Sequence, residues 1–242
     1  MTDADDPRLL EIRERLAVVR RRIAAATEAA GRQDNPPELI VVTKFHPADD
    51  VRRLAALGVT DVAENRDQEA SEKAATLSEL RLRWHFVGQL QSNKAKSVVR
   101  YAHAVHSVDR PQLAAALAKA VAAEQQRTGR GPLECFIQVS LDEDAGSHRG
   151  GAARLEVPAL ADQVAGSSGL VLAGLMAVAP LGSDPDAAFG KLAEISAQLL
   201  RDHPSASGIS AGMSQDLESA VRAGATHLRI GSDILGSRPA LR

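Results

Sequence analysis

Aromatic side chains are scarce in this chain: four phenylalanines, one tryptophan and one tyrosine among 242 residues, so any core it builds must be aliphatic. Cysteine is scarcer still. The single Cys135 excludes an intramolecular disulfide, and its place inside the apolar stretch ECFIQVS reads as an inert buried thiol. No apolar run approaches the roughly 18 residues that a membrane span needs. The N-terminal MTDADDPRLLEIRERL is acidic and then amphipathic, unlike a secretory signal, so a soluble cytoplasmic protein is expected. Neither sign of charge dominates, since 29 basic and 31 acidic residues leave a net charge of −2. That balance argues against nucleic acid or an anionic membrane as the main partner. The local basic clusters, Arg20 to Arg22 and Lys94 with Lys96, read as solvated helix faces.

What is present is alternation. A hydrophobic fraction of 44% supports a sizeable core, enough for one large α/β domain or two small ones. Leu9, Ile12, Leu16, Val19 and Ile23 recur every three or four residues and predict an N-terminal helix, ended by Gly31 and the Pro36-Pro37 pair. Strand candidates follow at 39–44, 61–64, 83–88, 104–108, 134–140, 170–179, 208–212 and 227–232, with helical patterns between them such as 49–57, 111–127, 185–201 and 214–223. Eight alternating units in roughly 200–250 residues are what a (β/α)₈ barrel requires. A doubly wound open sheet shares the alternation, but no G-x-G-x-x-G follows the first strand, and the barrel is the favoured architecture. No low-complexity linker divides the chain, so residues 1–242 read as one barrel domain with the helix of residues 1–31 packed on it.

Barrels collect function at the carboxyl ends of their strands. Those ends read Lys44, Glu64 with Asn65, His85 with Gly88, VSLDED after strand five, SAGMS (Ser210 to Ser214) after strand seven and RIGSD (Arg229 to Asp233) after strand eight. Gly212 with Ser214 and Gly231 with Ser232 each put a flexible backbone beside a hydroxyl at a helix start, Ser214 being placed to cap a helix from Gln215. Either pair alone reads as a plain turn with a capping serine. As neighbours in consecutive units they read as a phosphate site, which this fold places after strands seven and eight. Lys44 could simply end an exposed strand or pair with Glu64. Held in a partly apolar mouth, its amine would instead lose solvation, drop its pKa and condense with a carbonyl to a Schiff base. An aldehyde carrying a phosphate, pyridoxal 5′-phosphate, would satisfy both features. Arg229 would then face an unprotonated pyridine nitrogen, since arginine keeps its proton, and the ring would be a weaker electron sink.

The stretches VVTKFHP, DVAENR, WHFVGQLQSNKAK, GLMAVAP, SAGMSQDLESA and RIGSDILGSR, running in order from Leu39 to Arg238, resemble the pyridoxal phosphate homeostasis protein family. The resemblance implies a barrel similar to the N-terminal barrel of alanine racemase and a cofactor bound as the internal aldimine of Lys44. It places Asn65 and His85 beside the cofactor, Ser210, Met213, Ser214, Gly231 and Ser232 in the phosphate loops, and Arg229 at the pyridine nitrogen. It implies storage of the cofactor and transfer to apo-enzymes by a monomer or weak homodimer, with no metal. Two departures stand out: Arg66 where members often carry tyrosine, and His148-Arg149 where many carry a lysine before the glycine.

A racemase or decarboxylase is the alternative. Racemisation needs a base on each face of the α-carbon. Lys44 is one, but no second domain, which carries the other base in the similar racemases, is expected after strand eight. The sole tyrosine, Tyr101, is expected away from the mouth, and His85 is the remaining substitute. An aldolase-type barrel would use the same lysine and phosphate loops, but would leave Arg229 without a purpose. A cofactor absorption band would separate that class from the others.

Overall fold

The structure is a computed structural model that describes residues 6–142 and 150–237. Eight strands, β1 (Glu38–Val42), β2 (Asp61–Glu64), β3 (Arg83–Phe86), β4 (Ala102–Val108), β5 (Leu133–Gln138), β6 (Leu170–Met176), β7 (Gly208–Ser210) and β8 (His227–Ile230), pair in chain order into a closed barrel. All pairings are parallel, and β8 closes on β1 with Glu38 opposite His227 and Ile40 opposite Arg229. Closure excludes the doubly wound alternative. The helices are α1 (Pro7–Ala29), α2 (Ala48–Ala56), α3 (Asp67–Thr76), α4 (Ala95–Val98), α5 (Pro111–Thr128), α6 (Val157–Ala165), α7 (Pro185–Asp202), α8 (Leu217–Arg222) and α9 (Ser232–Leu235). Among the described residues no helix is long and apolar enough to cross a membrane.

The aliphatic core lies between strands and helices. Val62, Val105, Ile137, Leu175 and Ile230 point outward from the strands and meet Leu54, Leu117, Leu160, Leu192 and Val221 from the helix layer. Cys135 sits in this layer, where burial pushes its thiol up to about 12 and keeps it inert, as expected. Helix α1 begins where the Asp6 carboxylate accepts the amides of Arg8 and Leu9 at 2.9 and 3.2 Å, with Pro7 in the first turn. Its stripe of Leu9, Ile12, Leu16, Val19 and Ile23 is buried against the barrel. From the same helix Arg22 donates to Glu218, to Asp233 (2.8 Å) and to the Ser214 carbonyl (3.1 Å). One guanidinium therefore ties down the loops after both β7 and β8.

The barrel interior is polar, unlike the branched aliphatic filling usual in this architecture. Asp61, His85, His106, Ser210 and Arg229 are all buried there. Phe136 fills part of the remaining volume, stacked on His106 at 4.3 Å between ring centroids. Its ring is admitted by Gly208, where a Cβ would come within 2.7 Å of the phenyl edge.

Several predicted elements shift. Strand β1 stops at Val42, two residues short of Lys44, because Phe45 turns the chain with φ 68°. Helix α8 starts at Leu217 rather than Gln215, and Ser214 does not cap it. Instead the Asp216 carboxylate accepts the Met213 amide at 2.6 Å and closes the turn.

Candidate active site

Lys44 stands at the carboxyl end of the barrel in a turn held from both sides. Lys73, on α3, donates to the Thr43 carbonyl at 2.9 Å and to the carboxylates of Glu64 and Glu69 at 2.6 Å each. Glu69 accepts the Phe45 amide at 2.6 Å, and Thr43 Oγ1 donates to Glu64 at 2.7 Å. A non-glycine residue at positive φ costs on the order of 1–3 kcal/mol, and this network is what holds Phe45 there. Glu64 is fully buried, and burial raises its pKa although Lys73 and Thr43 pull it down. Its partner is Lys73, so the pairing with Lys44 weighed from the sequence does not form. Lys44 itself is exposed, contrary to the desolvated amine anticipated above. What the fold supplies is a fixed backbone beneath a reachable amine.

Two hollows meet at Lys44. One, of about 460 Å³, is lined by Lys44, Asn65, Gln138, Asp142, Met176 and Val178; the other, of about 190 Å³, by Lys44, Phe45, Gly231 and Ser232 among others. Gly88 is required here because a Cβ would lie 2.2 Å from the Asn65 carbonyl. Asn65 Oδ1 is buried, and among the described residues no donor reaches it. A buried, unpaired acceptor in a cleft wall fits a ligand that brings a donor. On the other side Ser214 Oγ lies 3.3 Å from Ser232 Oγ, so the two loops read as a pair do meet. Gly231 packs against Val42, where a Cβ would come within 3.0 Å of the Val42 carbonyl. Met213 is exposed, but its amide is already given to Asp216. The Arg66 guanidinium lies 5.2 Å above the Phe45 ring, where it covers the strained turn in place of an aromatic wall. The His148-Arg149 segment lies outside the described residues.

Three expected site residues lie deeper. Ser210 is fully buried and is bonded to Arg229 rather than joining Ser214 and Ser232. Arg229 is 4% exposed, with Nη1 donating to Ser210 Oγ at 2.6 Å and Nη2 to the Ala177 carbonyl at 2.9 Å, both groups at the carboxyl ends of their strands. Burial lowers its pKa to about 10, which still leaves it charged at neutral pH. His85 does not reach the mouth. Its Nε2 bonds Asp61 at 2.9 Å and its Nδ1 faces His106 at 2.9 Å, and it lines a hollow at the opposite end of the barrel with Glu38, His103, Glu134 and His227. The alternation on β3 does turn His85 inward, but the stagger of the strands sets it below the site. Tyr101 is half-buried among the helices, donating to Asp67 at 3.3 Å. Sequence reasoning did not single out Lys73, Glu69, His106 or Asp61. Only the Glu69–Lys73 spacing, four residues along a helix, was a readable signal.

Geometry and fold together define a barrel with a reachable lysine at its carboxyl mouth and an arginine buried beneath it. The alanine racemase N-terminal domain family matches residues 15–239. A pyridoxal phosphate homeostasis protein of Mycobacterium leprae is 45% identical over 97% of this chain and 95% of its own length. One of Pseudomonas aeruginosa is 39% identical over 94% of this chain and 96% of its own. The chain belongs to the pyridoxal phosphate homeostasis protein family, within the alanine racemase N-terminal domain class. Among solved structures, PipY of Synechococcus elongatus with PLP bound superposes with a TM-score of 0.77 at 34% identity, covering 93% of this chain and all of that one. Alanine racemase of Corynebacterium glutamicum shares the fold at a TM-score of 0.69 and 16% identity, with this chain covering 63% of it.

Proposed function

We propose that this chain holds pyridoxal 5′-phosphate through a covalent bond to Lys44 and passes it on to apo-enzymes, without turning over amino acids. The observation that carries the reading is the meeting of Ser214 and Ser232, 3.3 Å apart, at a hollow that Ser232 shares with Lys44. When bound, the cofactor supplies an aldehyde that condenses with amines and a phosphate that anchors it. Lys44 would take the aldehyde carbon, Ser214 and Ser232 would donate to the phosphate, the unpaired Asn65 Oδ1 would accept a donor from the ligand, and Arg229 would donate to the ring nitrogen. An exposed lysine suits loading and release better than a sealed catalytic chamber does. The test is the visible spectrum of the purified protein before and after borohydride reduction, with mass mapping of the labelled lysine. Lys44→Ala is expected to abolish the chromophore with the fold retained; label on Lys94 or Lys96 would refute the assignment.

Three features support the absence of turnover. His85 is committed to Asp61 and His106 inside the barrel, and Tyr101 to Asp67 among the helices. Among the described residues lining the larger hollow, the ionisable side chains are Lys44 and Asp142. Arg229, which keeps its own proton, would also leave a ring nitrogen bonded to it unprotonated and so weaken carbanion stabilisation at the α-carbon. Exchange of the α-hydrogen of L-alanine and L-serine in deuterated water is therefore expected at the rate given by free cofactor. Exchange many orders of magnitude faster, and lost in Lys44→Ala, would make the protein an enzyme.

A further inference from the structure

Five buried polar side chains cross the barrel in single file, and of these the site proposed above uses only Arg229. Arg229 Nη1 lies 2.6 Å from Ser210 Oγ, Ser210 Oγ 2.8 Å from His106 Nδ1, His106 Nε2 2.9 Å from His85 Nδ1, and His85 Nε2 2.9 Å from Asp61 Oδ1. They come from five strands, β8, β7, β4, β3 and β2, and none is more than 4% exposed. The hydrogen-bonding inventory selects one polarity for the file. A guanidinium only donates, so Ser210 Oγ accepts from Arg229. An ionised carboxylate only accepts, so His85 donates through Nε2 and, when neutral, offers Nδ1 as an acceptor. His106 then donates through Nε2 and accepts at Nδ1, which takes the Ser210 hydroxyl proton. Every dipole points from the cation toward the anion, so the charges at both ends favour the same order.

The protonation states agree with that order. Burial, with the nearby Arg229 charge adding to it, lowers the His106 pKa well below its ordinary value and keeps the ring neutral. Burial alone would raise that of Asp61, but hydrogen bonds from His85, Arg83 and Thr60 outweigh it and keep the carboxylate ionised. A doubly protonated His85 would reverse His106. Ser210 would then receive two donors, and its own proton would need a further acceptor inside the barrel.

We infer that Asp61, His85 and His106 are positioning residues for Arg229, acting through the direction of the Ser210 hydroxyl. With Ser210 and the Ala177 carbonyl each holding one nitrogen, the guanidinium plane is fixed before any ligand arrives. If the Ser210 proton turned toward Arg229, two donors would face each other and the arginine would have to move. The inference rests on the cofactor reading for its consequence, but the order of the file is a property of the protein alone.

The experiment is nitrogen NMR of the histidine side chains in the ¹⁵N-labelled full chain, without and with pyridoxal 5′-phosphate at neutral pH. His85 and His106 are both expected as Nε2–H tautomers in the cofactor-free protein. A proton on His106 Nδ1 overturns the inference, and no substitution is needed to see it. His85→Met is expected to turn His106 free of its partner, weaken pyridoxal 5′-phosphate binding about tenfold and shift the absorption of the bound cofactor. His85→Gln, whose amide can donate to Asp61 and accept from His106, is expected to restore both. A His85→Met protein with wild-type affinity and absorption overturns the positioning role. If the wild type binds no pyridoxal 5′-phosphate, the cofactor reading fails, while the tautomers still decide the order of the file.

Discussion

Lys73→Met is expected to cost about 3–5 kcal/mol of stability, the usual consequence of removing one partner from a buried ion pair. Lys73 and Glu64 are both buried, and the lysine also satisfies Glu69 and the Thr43 carbonyl, so its loss strands a carboxylate and releases the turn at Phe45. The penalty carries a pH signature. The folded pKa of Glu64 already lies above its ordinary value through burial. Without Lys73 it rises further. A carboxyl raised on folding binds more protons in the folded state than in the unfolded one. The stability conferred by that protonation is full below the unfolded pKa and is lost as pH rises through the folded pKa. The cost of Lys73→Met should therefore be largest in alkaline buffer and shrink on acidification. Denaturant unfolding of both proteins at about pH 8 and about pH 5 measures it, and a cost unchanged between them would place the defect elsewhere. Adding Glu64→Gln, which removes the stranded charge, is expected to recover most of the loss.

The same residues show how far the sequence could be read. The eight strands were legible because β-branched runs and turn residues are local signals, and β2 is observed at the four residues anticipated, Asp61–Glu64. Strand β1 was overrun because nothing near Phe45 in the chain announces its positive φ. Glu69 holds that amide from 24 residues away. His85 is legible as a polar residue of β3, but its height in the barrel depends on strand stagger, which no single segment encodes, and it lies away from the mouth where it was expected. Ser214 and Asp216 are both credible turn acceptors, and packing decided for Asp216. Ser210 and Arg229 belong to the same strand-end stretches as the phosphate loops, but strand alternation turns their side chains into the barrel. Lys73 was legible only as a helix-surface partner of Glu69; its reach to Thr43 and Glu64 requires α3 to be docked on β2.

Changing Ser214 and Ser232 together to alanine is expected to weaken pyridoxal 5′-phosphate binding by roughly a hundredfold or more. Each hydrogen bond to a charged group contributes about 1.5–3 kcal/mol, and both hydroxyls converge on one place. Neither side chain is needed for the fold in the way Lys73 is: Ser232 is exposed and Ser214 half-buried, and the turn between β7 and α8 is closed by Asp216 rather than by Ser214. Arg22 holds the loop through the Ser214 carbonyl, which survives the substitution. A loss of affinity with unchanged thermal unfolding would thus report on the ligand and not on the scaffold. Pyridoxal lacking the phosphate supplies the complementary measurement. It should bind wild type weakly, still react at Lys44, and lose little further affinity in the double variant. Spectral titration of both aldehydes against both proteins completes a cycle in which the serine effect appears only when phosphate is present. Equal affinities of the wild type for the two aldehydes would remove the phosphate assignment while leaving the covalent role of Lys44 to stand or fall on its own test.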